Sequence, residues 1–278
     1  MKKTALEKFT LALRYFAMAL ISLIALLPFY VLTFVAFNHK SRPLSAGVFS
    51  LPDFTFDNIT EAWRAGGLDV AITNSFIITV CGLLIVVLFG ASAGYAIARR
   101  PTKFHRFWFI LFLCCMMVPG IINTIPLYRI MQSINGINQL WSMILLLTAN
   151  RLPFCIFLYT SFVQAMSPDI EQAAIIDGCT PFSAFWRITF PLLMPVNSTV
   201  IITSCIGFWN NYNQAVFFLQ RRKVYTIPLA IATFYREFTT EWNYVAAAAF
   251  MGALPVIVVF LCLQKYFIKG LADGAVKG

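Results

Sequence analysis

Carboxylates are scarce in this chain. Asp and Glu number 11 among 278 residues, against 21 Lys and Arg, and none of the acidic residues falls inside the long apolar blocks. A secondary transporter or ion channel more typically carries intramembrane carboxylates for proton or ion coupling, so their lack argues against that class. Histidine is nearly missing too: only His39 and His105 occur, far apart and in loops, so no catalytic histidine arrangement is visible. No G-x-x-x-x-G-K-[ST] phosphate loop is present, so the chain should not hydrolyse ATP itself. The seven cysteines lack metal-ligand spacing, and six of them (all but Cys179) lie within apolar blocks, where a lone thiol acts as a small hydrophobe. Neither a disulfide nor a metal site is expected. A membrane-embedded enzyme is disfavoured for want of a nucleophile, base or metal cluster.

Hydrophobic residues, by contrast, make up 60% of the chain and charged ones 12%, well outside the soluble globular range. The excess comes in six blocks long enough to cross a bilayer: Leu11–Phe37, Val70–Ala98, Phe107–Met131, Leu140–Met166, Pro191–Leu219 and Tyr244–Ile268. Backbone in lipid must satisfy its own hydrogen bonds, so these are helices of an all-α polytopic membrane protein. The first block follows a basic start, is too long for a signal-peptide core and lacks a clear cleavage site, so it is read as a retained transmembrane helix.

A net charge of +10 would point to nucleic acid in a soluble protein. Here it is read as lysine and arginine holding cytoplasmic loops, with no nucleic-acid partner. Lys2, Lys3, Lys8 and Arg14, then Arg99, Arg100, Lys103 and Arg106, then Lys265, Lys269 and Lys277 fall on one side if both termini are cytoplasmic. The loop Asn38–Asp69 is then external and partly folded. One external loop dissents, Gln220–Asn243, which carries Arg221, Arg222 and Lys223. The chain thus divides into a first helix and loop (1–69), a core (70–268) and a cytoplasmic tail (269–278).

Prolines punctuate the spans: Pro119-Gly120 and Pro126 break the third, Pro153 the fourth and Pro255 the sixth. They are either ordinary kinks or the mark of helices lining a path. Trp209, Asn210, Asn211 and Asn213 in the fifth helix offer an aromatic face and amides for a sugar, or else interhelical hydrogen bonds. Arg151 lies mid-helix. Such a charge normally faces a cavity or a counter-charge. Two readings stay open: it lines a path and meets an anionic or heavily hydroxylated oligosaccharide, or it pairs with a carboxylate of a partner.

Between the fourth and fifth blocks the chain turns polar, "SPDIEQAAIIDGCTPFSAFWRITFPLLMP", residues 167–195. Ser167-Pro168-Asp169 starts a helix, Gly178 ends it in a left-handed conformation, and Thr180-Pro181 starts a second. Ala174 and Gly178, one turn apart, would let a partner's backbone approach. Phe185 and Trp186 would anchor an interface. The segment offers Asp169, Glu171 and Asp177 against a single Arg187, which suits a protein partner better than lipid headgroups.

This segment resembles the EAA coupling motif of binding-protein-dependent ABC importer permeases, through Gln172-Ala173-Ala174, Asp177-Gly178, Phe185, Ile188 and Phe190-Pro191. "NSFIITV", "GASAGYAIAR", "MMVPGIINTIPLY", "FWNNYNQAVFFL", "YTIPLAIATF" and "GLADGAVKG" extend the similarity to the maltose-type carbohydrate subfamily, specifically its smaller permease subunit. Gln172 departs from the motif's usual glutamate, leaving Glu171 or Asp177 for any salt bridge to an ATPase. Arg151 departs from the small or neutral residue expected there. The resemblance implies a type I importer transmembrane domain in a bacterial cytoplasmic membrane, with six helices and a coupling helix-turn-helix between helices 4 and 5. It implies a second, homologous permease subunit, two ATP-binding subunits that carry the ATP and Mg, an external solute-binding protein and a carbohydrate substrate. It implies an ATPase-coupling role for Glu171, Gln172, Ala173, Ala174, Asp177, Gly178, Phe185 and Trp186. Arg151, Trp209, Asn210 and Asn211 are the candidate substrate-path residues, and Arg221, Arg222 and Lys223 the binding-protein-facing ones. In that subfamily the main sugar site lies on the larger partner subunit. Anionic sugars, such as uronic oligosaccharides or glycerol-phosphate-type solutes, are the alternative cargo.

Overall fold

A computed structural model describes residues 5–39, 53–237 and 242–275. Lys2, Lys3 and Lys277, the middle of the first loop at 40–52 and residues 238–241 lie outside the described residues. Elements run in the order α1 (Ala5–Phe37), α2 (Asp57–Gly66), α3 (Leu68–Arg99), α4 (Lys103–Met117), α5 (Thr124–Ser133), α6 (Leu140–Ala165), α7 (Asp169–Ile176) and α8 (Pro181–Ala184). A π-helical turn (Phe185–Thr189) follows, then α9 (Phe190–Leu192), α10 (Met194–Trp209), α11 (Ala215–Phe218), a 3-10 turn (Arg222–Val224), α12 (Ile227–Glu237) and α13 (Trp242–Ala275).

Among the described residues four helices are long and apolar enough to cross a membrane: α1, α3, α6 and α13. A fifth is added if the pair Pro181–Leu192 and Met194–Trp209, bent by 72°, counts as one span. The expectation of six is therefore not reproduced. The third block divides into α4 and α5, each too short to span, because Pro119-Gly120 closes a turn instead of extending the helix. In that turn Ile122 N–H donates to the Pro119 carbonyl at 3.1 Å and Thr124 N–H to Ile121 at 3.2 Å. Pro153 and Pro255 do not interrupt their helices. Each sits inside a continuous element, α6 or α13, where a lone proline removes only one backbone hydrogen bond.

Two compact units are present. One comprises residues 1–68 and 231–253, the other 69–230 and 254–278. In the first, the end of α1 is fastened by amides. The Asn38 carbonyl accepts from the side-chain amides of both Asn58 and Asn243, each at 2.8 Å, and the same two amides reach Ala36 and Val35. A short antiparallel bridge, Asn38 with Phe54, closes the described ends of the first loop, and α2 gives that loop its folded part.

The second unit is built on α3, α6 and α10. Gly90 and Gly94 form a G-x-x-x-G stripe on α3 that faces Tyr159 of α6. A Cβ on Gly94 would stand 2.5 Å from the Tyr159 Cβ and 3.0 Å from the Thr160 backbone nitrogen, so only glycine permits this approach. Tyr159, fully buried, donates its hydroxyl to Asn197 of α10 at 2.7 Å. Around it Val86, Val163, Leu193, Val200 and Phe218 complete the apolar core.

Candidate functional site

Residues 167–195 form the helix-turn-helix that their punctuation predicts. Ser167 Oγ accepts from the Asp169 amide at 3.2 Å at the start of α7. Its end is a Schellman motif: Cys179 N–H reaches Ala174 O at 2.9 Å and Gly178 N–H reaches Ile175 O at 3.0 Å, with Gly178 at φ +91°. Thr180 then caps α8, its hydroxyl accepting from the Ser183 amide at 3.2 Å. The second helix differs from a simple amphipathic turn. A π-helical segment shifts the register, and the chain bends by 72° about Leu193. Pro191 and Pro195 flank that bend, and neither can supply the amide that would carry a straight helix through it.

The side chains of this element point two ways. Glu171 is buried, with 7% of its surface exposed, and faces its own chain. Its Oε1 lies 2.9 Å from Nη2 of Arg99 at the end of α3. Arg99 Nε donates to both carboxylate oxygens, at 3.0 and 3.1 Å, and Arg99 Nη2 also donates to the Met166 carbonyl at 3.2 Å. Tyr95 donates its hydroxyl to Oε2 at 3.0 Å. Ala174 and Phe185 are buried as well, and the Phe185 ring lies 4.7 Å from that of Tyr95 and 4.8 Å from that of half-buried Trp186.

Three residues expected to couple to an ATPase pack against their own chain. Glu171 is engaged with Arg99, whereas Asp177 is exposed. Ala174 is 4% exposed. Phe185 is a core residue, 5% exposed, packed against the Tyr95 and Trp186 rings. Gln172, Ala173, Asp177 and Gly178 are exposed. The most exposed large apolar groups of this element are Ile176, 85% exposed, which helical spacing did not single out, and Phe182, 75% exposed, which shares a helically spaced stripe with Phe185, Trp186 and Phe190.

A cavity of about 690 Å³ lies in the second unit, between the α4–α5 turn, α6 and the end of α10. Arg151, Asn211 and Asn213 line it. Trp209 is buried and Asn210 exposed, and neither is among the lining residues. Asn150, Tyr212 and Gln214 contribute further polar groups, which sequence reasoning did not single out. The break after α10 puts them there. Asn210 to Gln214 leave the helix, and Asn211 Oδ1 accepts from the Gln214 amide at 3.1 Å, so consecutive polar side chains gather at one mouth. Arg151 donates its Nε to Ser204 of α10 at 3.0 Å, and its guanidinium carbon sits 4.6 Å from the centre of the Phe154 ring. Among the described residues no acidic one lines the cavity.

Arg221, Arg222 and Lys223 are exposed on a short turn whose backbone is held at both ends. Asn138, at φ +61°, accepts the Gln220 and Arg221 amides on its Oδ1 at 2.6 and 2.9 Å. Asn74 donates its amide to the Lys223 and Tyr225 carbonyls at 3.1 and 2.9 Å, and Ser75 Oγ accepts from the Ile227 amide at 2.9 Å. Asn74 and Ser75 stand in the "NSFIITV" stretch, whose polar start in an otherwise apolar helix was the available signal.

Residues 86–273 match the family model described as "Binding-protein-dependent transport system inner membrane component". The melibiose/raffinose/stachyose import permease protein MelC of Bacillus subtilis (strain 168) is 39% identical over 261 residues, covering 94% of each chain. The multiple sugar-binding transport system permease protein MsmG of Streptococcus mutans is 29% identical over 98% of this chain and 99% of the relative. Among solved structures, a chain of a bacterial ABC transporter that imports the acidic polysaccharide alginate superposes with a TM-score of 0.81. That match covers 96% of this chain and 99% of the other at 21% identity, a likeness of fold alone.

Proposed function

Because the chain belongs to the family of binding-protein-dependent transport system inner membrane components, we propose that it is a permease subunit of an ATP-driven importer of oligosaccharides. The observation that carries the carbohydrate reading is the 39% identity, end to end, with a permease for melibiose, raffinose and stachyose. The cavity agrees with it, for amides, a phenol and a guanidinium gathered beside apolar walls are the groups that bind sugar hydroxyls.

In this reading the chain forms half of a path whose other half is a second, homologous permease. It works with a solute-binding protein, as the family's description states. Two ATP-binding subunits hold ATP and Mg and dock on residues 169–186, with Ile176 and Phe182 as the apolar contacts and Gln172, Asp177 and Gly178 around them. Both termini face the cytoplasm, and Arg221 to Lys223 face the binding protein. Transport energy enters as a shift between two states of the permease pair, each favoured by different contacts with the ATPases.

The test is co-purification with transport. A tagged chain extracted from its native membrane should bring down an ATPase, and proteoliposomes with the cytoplasmic face inward should accumulate raffinose only with ATP in the lumen and a binding protein outside. Transport by the chain alone, with no ATPase bound, would overturn the importer reading. Full raffinose and melibiose uptake in cells lacking the chain would overturn the sugar assignment.

A further inference from the structure

Arg151 is a cation placed where a cation is costly. It stands on α6, an apolar helix of 26 residues, with no acidic residue near its position in the sequence. A charge at that depth is tolerated only when it faces a cavity or meets a partner. Here it lines the cavity, and among the described residues no carboxylate compensates it there.

What holds the guanidinium is slight. Its Nε gives one hydrogen bond to the buried Ser204 hydroxyl, the Phe154 ring lies to one side and the Cys155 thiol is nearby. Among the described residues no other oxygen accepts from it. A guanidinium has five N–H groups in a planar fork, and donors left unsatisfied away from water are expensive. Ser204 occupies the Nε edge, so the terminal nitrogens are the ones left for a ligand. Two nitrogens in a fork match two neighbouring oxygens, either those of a carboxylate or those of a vicinal diol. Beside them Asn150 and Asn211 each offer a donor and an acceptor.

Resting on the importer reading above, we infer that this subunit itself contacts the cargo, and that Arg151 is the contact. Its fork takes a pair of adjacent oxygens on one glycosyl unit, while Ser204 positions it. The cavity accordingly selects acceptor-rich solutes and rejects cationic ones.

The experiment uses the assembled importer, with both permease subunits and the ATPases, in nanodiscs without the binding protein. Retention of radiolabelled raffinose and of trigalacturonate is measured by equilibrium dialysis, beside thermal stability of the complex. Arg151→Gln should leave assembly intact and weaken retention of one probe or both by at least about tenfold, the loss of a pair of charge-assisted hydrogen bonds. Loss confined to raffinose identifies the diol, and loss confined to trigalacturonate the carboxylate. Arg151→Lys keeps the charge without the fork and should recover little. Full recovery by lysine, or failure of both variants to assemble, would assign Arg151 to a joint with a partner's carboxylate and overturn the proposal. Unchanged retention of both probes in the glutamine variant would overturn it as well. Wild-type uptake of raffinose through the binding protein is scored separately, so failure of the importer reading shows itself apart from failure of the Arg151 contact.

Discussion

Arg99 and Glu171, 72 residues apart in sequence, meet through a contact of 2.9 Å with 16% and 10% of their side-chain surfaces exposed. The pair ties the helix that precedes the turn to the end of α3, and Met166 O and the Tyr95 hydroxyl complete its hydrogen bonding.

Breaking one side of such a pair strands a buried charge, at a cost of about 3 kcal/mol. Glu171→Gln should therefore raise amide exchange across residues 169–176 by roughly a hundredfold, from the same free energy. Replacing both residues with methionine should return much of that protection. Exchange at the wild-type rate in the single variant would show that the tie does not hold the element in place.

Gly178→Leu places a branched side chain at φ +91°, a conformation in which L residues are strained by about 1–2 kcal/mol. Beyond its chain neighbours nothing lies within 4 Å of a Cβ added there, so the strain is local and the membrane helices should insert normally. Sugar-stimulated ATP hydrolysis by the assembled importer should fall sharply. Normal stimulation in this variant would remove the coupling role from the turn.

Gly94→Ala adds a methyl where the Tyr159 Cβ would stand 2.5 Å away. Overpacking of this kind costs about 1–3 kcal/mol. The variant should melt several degrees below wild type, whereas Ser92→Ala, on the exposed side of the same helix, should not. Equal melting of all three proteins would mean that α3 and α6 do not approach so closely.

Changing Arg221, Arg222 and Lys223 together to glutamine should slow association with the solute-binding protein by about tenfold at low salt and flatten its salt dependence. Stopped-flow association across a salt series reads both. A rate and slope identical to wild type would free these cations from that role.

Much of this was legible beforehand because it is written in local chemistry. Ser167, Gly178 and Thr180 mark their caps by residue type alone, and the long apolar runs at α1, α3, α6 and α13 announce themselves by length. Residues whose role depends on another element were not legible. Glu171 reads as an outward carboxylate until Arg99 is brought beside it, and Phe185 reads as an anchor until the Tyr95 ring of α3 is brought against it. The third block is not one continuous helix at Pro119-Gly120, and hydropathy hides this because it averages over a turn that the backbone does not cross as helix. Gly90 and Gly94 did carry a signal, their spacing of four, which needs no knowledge of the partner helix to be noticed.

The 72° bend at Leu193 gives the subunit the geometry of a bell crank. One arm, Pro181 to Leu192, lies among the residues proposed to meet the ATPase. The other, α10, reaches Ser204 about 15 Å further along at 1.5 Å per residue, where the Arg151 guanidinium is hydrogen-bonded. If the bend is rigid, a sideways push on the short arm would reach Ser204 as a swing of α10. The residue that sets Arg151 would then be the one that ATP binding displaces, so grip on the cargo and grip on the ATPase would be adjusted by one turning piece.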